Sequence, residues 1–316
     1  MKPEITMKAT RTGFGEGLVQ AAKKNKKVWA LTADLTGSTG LKEFEKLFPE
    51  RFIQVGVAEQ NLVTVASGLA HTDKIPFATS FAAFSPGRNW EQIRTTICYN
   101  NQPVRIVGTH TGLGVGEDGA THQMLEDISM MRALPNMDVI VPCDALEAKK
   151  ATIALTKSKK PAYLRLGRQR VETITNEKTK FEIGKANILK SGNNMTIIAC
   201  GPMVHCALDA AKQLAGRRIS AEVINLHTIK PIDKNTILKS VKKTKKVITI
   251  EDHQIHGGMG SAISEVLAEN CSTAFKMKMM GVKDKFGESG PKDQLYNKFG
   301  LTSKHIVKEA LLLKKK

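Results

Sequence analysis

The chain has 316 residues, of which 41% are hydrophobic, and it contains 11 prolines. These values are typical of a globular protein of about two domains and exclude a disordered chain. No run approaches the roughly 20 apolar residues that a membrane span needs, and the N-terminal stretch lacks the apolar core of a secretory signal.

The net charge of +18 raises the question of nucleic-acid binding. Much of the excess is lysine in short, scattered groups, and only 5% of residues are aromatic, so no stacking array accompanies the charge. A lysine-rich surface, a phosphorylated substrate or an acidic partner chain explains the charge better, and we expect no nucleic-acid and no membrane partner. Five cysteines without paired spacing indicate free thiols in a reducing cytoplasm.

Apolar strands and helical stretches alternate through the first half of the chain. The predicted strands are residues 28–33, 52–57, 76–81, 104–109, 138–141 and 162–166. The predicted helices lie near residues 12–24, 59–70, 88–99, 125–133 and 145–157. Near-continuous apolar strands that alternate with helices predict a parallel sheet covered on both faces.

A polar stretch after Arg170 is interpreted as a linker, and a second α/β set follows it. Its predicted strands lie near residues 195–200, 221–226 and 247–250, and its predicted helices near 203–215, 233–243, 260–270 and 303–313. The predicted fold class is therefore α/β, with domains at residues 1–172 and 183–316 joined near 171–182.

Chemically useful side chains follow five of the predicted strands. They are Asp34, Glu59, Phe81 with Phe84, His110 and Arg168. Ligands bind beyond the carboxyl ends of the strands in open α/β sheets, so these side chains are predicted to share one site.

Glu59 is the acid on which this prediction mainly depends. It stands between an apolar run, residues 52–57, and a helical pattern, where a carboxylate is costly to desolvate and tends to be exposed, paired or used. The ordinary structural alternative is an acid that complements the positive N-terminus of its helix.

The densest group of polar residues is the glycine-rich stretch from Thr109 to Gln123. It contains His110, Asp118 and His122, and its glycines allow the backbone to approach a ligand closely. It is a weak dinucleotide motif because no matching strand–helix unit surrounds it. It is also a weak metal site because its two histidines lack the short spacing of paired ligands, and we predict no metal site on this chain.

Several stretches resemble the C-terminal half of transketolase, a thiamine-diphosphate enzyme. They read RFIQVGVAEQNLVTVASGLA, TSFAAFSPGRNWEQIR, THTGLGVGEDGATHQMLED and MRALPNMDVIVP, in that family's order. The similarity continues through VITIEDHQIHGGMGSAISEVL and GVKDKFGESGPKDQLYNKFGL, and so covers nearly the whole chain. The resemblance implies a pyrimidine-binding domain with a parallel sheet, followed by a transketolase C-terminal-like α/β domain.

On the cofactor side, the resemblance implies that Glu59 hydrogen-bonds the aminopyrimidine of thiamine diphosphate and promotes its activation. The cofactor carries the hard chemistry, and a buried carboxyl can hold its proton against the ring nitrogen in a dry site. Phe84 matches the ring that stacks on the pyrimidine, Phe81 lies beside it, and Asp34 matches a residue of the cofactor region. Core packing remains an alternative for Phe81, and a turn or cap for Asp34.

On the substrate side, the resemblance implies contacts to a sugar phosphate. The matching positions are Arg11, Ser38, His110, Asp118, His122 and Arg168. Asp118 matches an acid that reads a donor hydroxyl, and His122 a histidine near the reacting centre, so the two histidines join Glu59 as catalytic candidates. Arginine suits phosphate because its planar fork makes charge-assisted two-point contacts. For Arg11 and Ser38, a surface residue without function is the alternative.

Two departures from the family pattern carry consequences. Gly87 stands where the family often has a tyrosine, so that side of the pyrimidine pocket is expected to differ. The GDG…N motif that binds Mg²⁺ and diphosphate is missing, since residues 117–119 lack its first glycine and its asparagine. We therefore expect a separate N-terminal transketolase chain that supplies the Mg²⁺ ligands, and homodimerisation within a heterotetramer.

The stretch HQIHGGMG, residues 253–260, could cradle an anion at a helix N-terminus. A tight turn built on its glycines is the favoured interpretation.

The leading functional hypothesis is the C-terminal subunit of a two-chain transketolase, which moves a two-carbon ketol unit from a ketose phosphate to an aldose phosphate. Three alternatives stay open: half of a 1-deoxyxylulose-5-phosphate synthase, the β subunit of a 2-oxoacid dehydrogenase, and a non-catalytic scaffold subunit. The phosphate-binding set favours transketolase over the 2-oxoacid dehydrogenase, and the retained polar residues argue against a scaffold.

Overall fold

The computed structural model describes residues 6–315. In the first part of the chain the strands are β1 (Met7–Ala9), β2 (Val28–Thr32), β3 (Phe52–Gln54), β4 (Ile75–Phe81), β5 (Arg105–Thr109), β6 (Asp138–Ile140), β7 (Ala162–Arg165) and β8 (Arg170–Glu172). The helices are α1 (Thr10–Lys24), α2 (Lys42–Leu47), α3 (Glu59–His71), α4 (Trp90–Gln92), α5 (Asp127–Arg132) and α6 (Ala145–Leu155). A π-helical turn, Ile93–Cys98, continues α4.

The second part repeats the α/β alternation. Its strands are β9 (Asn187–Lys190), β10 (Met195–Ala199), β11 (Ala221–Asn225), β12 (Thr228–Lys230), β13 (Lys246–Gln254) and β14 (Lys276–Val282). Its helices are α7 (Met203–Ala215), α8 (Lys234–Thr244), α9 (Met259–Asn270), α10 (Lys292–Lys298) and α11 (Ser303–Lys315). None of the helices in the described residues combines the length and apolar character needed to cross a bilayer.

The larger sheet has the strand order β12-β6-β7-β5-β4-β2-β3. The strands from β6 to β3 are parallel, and β12 pairs antiparallel with β6. The central strands β4 and β5 are buried almost without interruption, because helices cover both faces of a parallel sheet. The parallel α/β sheet predicted from the sequence is confirmed, and its strands end at one edge.

The second sheet has the order β14-β13-β10-β11-β9, with β9 antiparallel and the other pairs parallel. The two sheets share a continuous apolar core, in which Val139 and Ile106 of the first part join Ile198 and Ile224 of the second. Since β12 comes from beyond the predicted linker and completes the first sheet, the two parts are interlocked along the chain.

Several predicted bounds differ from the observed ones. Residues 55–57, predicted as strand, turn away after Gln54, and Gly56 takes a φ of +73°. Strands β1, β8, β9, β12 and β14 were not predicted. The first four have only three or four residues, which leave no readable alternation pattern.

The predicted linker is docked on the first sheet's helices. Its strand β8 pairs with β1, and the Asp144 carboxylate at the start of α6 accepts hydrogen bonds from the Ile174 and Thr175 amides at 2.9 and 2.7 Å. The predicted domain limits, 1–172 and 183–316, remain a prediction.

Candidate functional site

Glu59 is the first residue of α3 and is only 2% exposed. Its carboxylate accepts a hydrogen bond from the Arg88 guanidinium at 2.6 Å, and its backbone carbonyl accepts one from the Asn89 amide at 2.7 Å. It lies at an open cleft of about 520 Å³, lined by residues 57–61, Thr64 and Arg88. The acid therefore complements the helix N-terminus and also faces a ligand-sized space.

A cluster of aromatic rings lies beside this cleft. The Phe81 ring stacks on His110 with 3.7 Å between centroids, and the Phe84 ring lies 6.0 Å from Phe81 in a stacked arrangement. His122 meets the Phe84 ring edge-on at 5.5 Å. Phe81, the last residue of β4, and Phe84, shortly after it, therefore contact both histidines of the glycine-rich stretch.

The protonation of His110 follows from its two hydrogen bonds. Its Nε2 lies 3.2 Å from the Arg11 guanidinium, which can only donate, so Nε2 accepts and carries no proton. Its Nδ1 lies 3.0 Å from the Thr109 hydroxyl, which donates its own proton to the Ser80 carbonyl, so Nδ1–H is the donor there. Burial, followed by the charges of Arg11 and Arg168, lowers the pKa of His110 to about 3. The ring is neutral near pH 7.

Two arginines make this end of the site electropositive. Within residues 6–315, the contacts of the Arg11 guanidinium are to His110 and the Ser38 carbonyl, with no carboxylate partner. Burial and the neighbouring Arg168 charge lower the pKa of Arg11. Arg168 pairs with Asp118 at 3.2 Å, but both side chains are more than a third exposed, so the pair is weak and open to exchange for a ligand. The half-buried Arg11 guanidinium, which has no carboxylate partner among the described residues, and the exchangeable Arg168 are together suited to an anion.

Two predicted site residues lie at the margin of this cluster. Asp34 follows β2 with a φ of +58°, and its amide donates to the Gln54 side chain at 2.6 Å. The same Gln54 oxygen accepts from Gly56 at 3.2 Å, so Gln54 ties the loop of Asp34 to the loop that leads into Glu59. Ser38 is exposed and contributes its carbonyl, rather than its hydroxyl, to Arg11.

Sequence reasoning missed Arg88, Asn89 and Gln54. Arg88 follows Gly87, which stands where the family often has a tyrosine, and its guanidinium lies 5.0 Å from the centre of the Phe84 ring. A Cβ at Gly87 would overlap the Ala83 carbonyl, so no larger residue fits there in this backbone. For Arg88 and Asn89, the available signal in the sequence was a basic residue and an amide residue directly after Gly87.

The stretch 253–260 bends before α9, in line with the predicted tight turn. The first amides of α9, at Met259 and Gly260, donate to the Glu251 carboxylate at 2.6 and 2.8 Å. Burial is the main cause that raises the pKa of Glu251 to about 7. The helix N-terminus is satisfied internally and leaves no cradle for an external anion.

Across the described residues 6–315, no group of three or more His, Cys, Asp or Glu side chains is arranged to hold a metal ion.

Comparison with known proteins defines the class. Residues 6–173 match the family described as the transketolase pyrimidine binding domain, and residues 184–306 match the transketolase C-terminal domain. A solved structure described as a split-gene transketolase, inactive beta4 tetramer, superimposes with a TM-score of 0.90 at 43% identity, covering 97% of this chain and 99% of that one.

Relatives of similar length are described as transketolase sections or subunits. A Methanocaldococcus jannaschii protein assigned as a transketolase C-terminal section is 47% identical, with 96% of both chains covered. The 6-deoxy-6-sulfo-D-fructose transketolase subunit SqwH of Clostridium sp. strain MSTE9 is 42% identical over 95% of this chain and 92% of its own length. An apulose-4-phosphate transketolase subunit of Phocaeicola vulgatus is 35% identical over 98% of this chain and 99% of its own length.

A 1-deoxy-D-xylulose-5-phosphate synthase of Halothermothrix orenii is also similar, at 37% identity over 95% of this chain but only 47% of its own length. The chain belongs to the transketolase family and matches the C-terminal section of these thiamine-diphosphate enzymes. The resemblance and the fold class predicted from the sequence are both confirmed.

Proposed function

We propose that this chain is the C-terminal subunit of a two-chain transketolase, which transfers a two-carbon ketol unit from a ketose phosphate to an aldose phosphate with the help of thiamine diphosphate. The observation that carries the proposal is the continuous row of contacts from Glu59 through Arg88, the Phe84 ring, His122 and the Phe81 ring to His110 and Arg11. A cofactor position and an anion position thus lie side by side.

The residues at the Glu59 cleft fit an aminopyrimidine. A buried carboxyl supplies one hydrogen-bonding group, the partly exposed Phe84 ring supplies a stacking face, and Phe81 supports that ring from behind. Asp34 stands at the neighbouring strand end, tied to this loop through Gln54. When bound, thiamine diphosphate would supply the carbon nucleophile for the ketose carbonyl.

Glu59 would hold a proton against the pyrimidine ring, a role suited to an acid that is shielded from water. Arg88 must give up its ion pair with Glu59 for this contact to form. The Arg88 side chain is 51% exposed and can return to water, provided that the ring replaces it as the partner of the buried carboxyl. The carboxyl that it leaves is then free to bond the ring.

The sugar phosphate would lie against Arg11 and Arg168, with Ser38 at the rim. Bound phosphate would relieve the mutual repulsion that the two guanidinium groups exert in the free chain. Neutral His110, whose Nε2 accepts from Arg11, can accept instead from a sugar hydroxyl when Arg11 turns to the phosphate. Asp118 would read a donor hydroxyl, and His122, held beside the Phe84 ring, would lie near the reacting centre.

The Mg²⁺ and diphosphate contacts are assigned to an N-terminal partner chain, because this chain lacks the corresponding motif. Val57, which is 71% exposed beside Glu59, is suited to burial under such a partner. A related assembly of β chains alone is described as inactive, which supports the need for a second chain. We propose a heterotetramer in which two copies of this chain meet, located in the cytoplasm in keeping with its free cysteines.

The test is reconstitution of this chain with its cognate N-terminal chain, Mg²⁺ and thiamine diphosphate. We expect ketol transfer from xylulose 5-phosphate to ribose 5-phosphate, and no transfer when either chain is omitted. A parallel assay with a 6-sulfo-ketose donor determines whether the anion site takes phosphate or sulfonate, since named relatives act on different sugars.

Pyruvate is the discriminating alternative substrate. Release of CO₂ from pyruvate with glyceraldehyde 3-phosphate, without ketol transfer, would assign the chain to the 1-deoxyxylulose-5-phosphate synthase reaction instead. CO₂ release with transfer to an acyl carrier would indicate a 2-oxoacid dehydrogenase. No turnover with any of these substrates, in a complex that binds thiamine diphosphate, would favour the scaffold hypothesis.

A further inference from the structure

The glycine-rich loop, residues 112–123, leaves the first sheet and contacts the second part of the chain at its start, its middle and its end. At its start, the Leu113 amide donates to the Asp252 carboxylate of β13 at 2.9 Å. The other oxygen of Asp252 accepts from the Tyr296 hydroxyl of α10 at 2.8 Å. Tyr296 in turn accepts from the Gln169 side chain at 3.0 Å. Asp252 is 2% exposed, so this carboxylate is committed to the loop and to Tyr296.

The loop sequence is adapted to this carboxylate. Gly112 has a φ of +73°, which L-residues rarely adopt, and a Cβ there would overlap the Asp252 carboxylate. Gly116 and Gly119 also have positive φ values, at +82° and +74°. A loop with this many left-handed glycines has a large conformational entropy to lose, so its shape depends on bonds from outside.

The middle of the loop is held by residues 287–289, which lie between β14 and α10. The Ser289 hydroxyl donates to the Glu117 carbonyl at 2.6 Å. The Gln123 side-chain amide donates to the Glu288 carbonyl at 3.0 Å, and a Cβ at Gly287 would overlap the Gln123 side chain. Glu117 is the residue immediately before Asp118, so this contact sets the backbone from which Asp118 projects.

The far end of the loop is fixed by Arg165. Its guanidinium donates to the Met124 carbonyl at 3.3 Å and to the Asp252 backbone carbonyl at 3.0 Å. The Gln254 amide donates to the Leu125 carbonyl at 2.9 Å. Strand β13 therefore holds both ends of the loop.

We propose that the second part of the chain acts as a clamp that positions the glycine-rich loop for sugar recognition, with Asp252, Tyr296 and Ser289 as its positioning residues. The clamp places Asp118 and His122 toward the sugar without itself touching substrate. This inference rests on the proposed function only for the identity of what the loop recognises.

Two clamp variants, Tyr296→Phe and Ser289→Ala, are compared with two matched controls in the full chain. Ser240→Ala removes another buried hydroxyl bonded to a carboxylate, that of Glu222, within the second part and away from the loop. Ser264→Ala removes a hydroxyl that donates to the Gly260 carbonyl within α9, at 2.9 Å. The first readout is hydrogen exchange of the amides of residues 112–123 in the isolated chain, which requires no activity.

We expect loop amides to exchange roughly tenfold faster than in the parent chain, because Ser289→Ala removes a hydrogen bond to the loop and Tyr296→Phe removes the hydroxyl that orients Asp252, the acceptor of the Leu113 amide. In the controls, loop exchange should match the parent. Ser289→Thr, which keeps the hydroxyl, should restore slow exchange.

The second readout is steady-state kinetics of the reconstituted holoenzyme. Ser289 holds the backbone next to Asp118, whose contact to the sugar is made equally in the ground and transition states, so in Ser289→Ala the KM for the ketose donor should rise about fivefold with kcat changed less than about twofold. Unchanged loop exchange in both clamp variants, or equal acceleration in the Ser240→Ala control, would overturn the clamp.

Faster loop exchange with an unaltered donor KM would overturn its role in sugar recognition. A parent holoenzyme that shows no ketol transfer would reject the proposed function, while the exchange experiment would still decide whether the clamp exists.

Discussion

At Glu59, burial and ion pairing are combined in one side chain. The carboxylate is almost fully covered, yet it lies at a cleft and is paired with a guanidinium that is half in water. A structural acid at a helix start needs neither the cleft nor the aromatic neighbours. The arrangement therefore favours a carboxyl that exchanges its partner for a ligand.

Glu59→Gln should preserve the fold and hydrogen-bonding shape but remove the acid. In the reconstituted enzyme we expect kcat to fall by roughly 10²–10⁴-fold, the usual contribution of a positioned acid or base. Glu91→Gln, at an exposed position in α4, is the control and should leave kcat unchanged. Near-normal turnover of Glu59→Gln would remove Glu59 from its proposed role.

His110 differs from an ordinary surface histidine because it is surrounded by cationic side chains. With a folded pKa of about 3 against an ordinary 6.5, the unfolded chain takes up this proton first as the pH falls. His110 thus contributes stability above about pH 6.5, and the contribution is lost as the pH falls from 6.5 toward 3.

Nitrogen NMR of the isolated chain should show His110 neutral, with the proton on Nδ1, at about pH 5, which lies between the folded and ordinary pKa values. Arg11→Met removes a positive charge beside the ring and should raise the pKa of His110 toward its ordinary value. Loss of the signal in His110→Gln provides its assignment. A His110 that is already protonated under these conditions would contradict the neutral-acceptor role.

At the scale of elements, the site depends on how loops leave the strands. Asp34 and His110 both follow strands with left-handed backbone conformations, at φ values of +58° and +56°. Such conformations are uncommon for residues other than glycine and persist where surrounding structure enforces them. For the loop after β5, that enforcement comes from the second sheet.

Gly112→Ala and Gly68→Ala test this dependence as a pair. Gly112 has a positive φ and lies against the Asp252 carboxylate, so alanine should destabilise the chain by at least about 2 kcal/mol. Gly68 lies within α3 with nothing near its Cβ position, so alanine should stabilise the isolated chain by roughly 0.5–1 kcal/mol.

Urea unfolding of the isolated chain measures both changes. Equal effects of the two substitutions, or a Gly112→Ala chain as stable as the parent, would show that the loop start tolerates a side chain and that Asp252 does not constrain it.

At the scale of the whole molecule, the two α/β parts are not separable by cutting the linker. Strand β12 covers the edge of β6, and the Arg165 guanidinium, paired with Asp127 in the first part, donates to the Asp252 backbone carbonyl of the second part. Separating them would expose an unpaired strand edge and uncover the apolar core that the two sheets share.

A fragment that ends at residue 182 should therefore fail to fold as a soluble unit. We expect aggregation, or loss of a cooperative thermal transition, whereas the full chain should unfold in one step. Size-exclusion chromatography and calorimetry measure both properties. A monomeric fragment that unfolds cooperatively near the Tm of the full chain would contradict the interlocked architecture.

Most of the larger elements could be predicted because their patterns are local. In long buried strands such as β4 and β5, and in amphipathic helices such as α7, the pattern of apolar residues along consecutive positions indicates which residues are buried. Short strands such as β8 and β12 have too few residues for a period, and each pairs with a strand far away in the chain. Their pairing is set by tertiary contacts.

The sequence alone determined the family and the α/β alternation, because motif order and apolar periodicity are properties of neighbouring residues. It also placed four site residues after strands: Glu59, Phe84, His110 and Arg168. Only the tertiary structure established three contacts: the ion pair of Arg88 with Glu59, the hydrogen bond from Arg11 to the His110 ring, and the hydrogen bond from Leu113 of the glycine-rich loop to Asp252. These contacts join residues 29, 99 and 139 positions apart, and packing, not local pattern, brings them together.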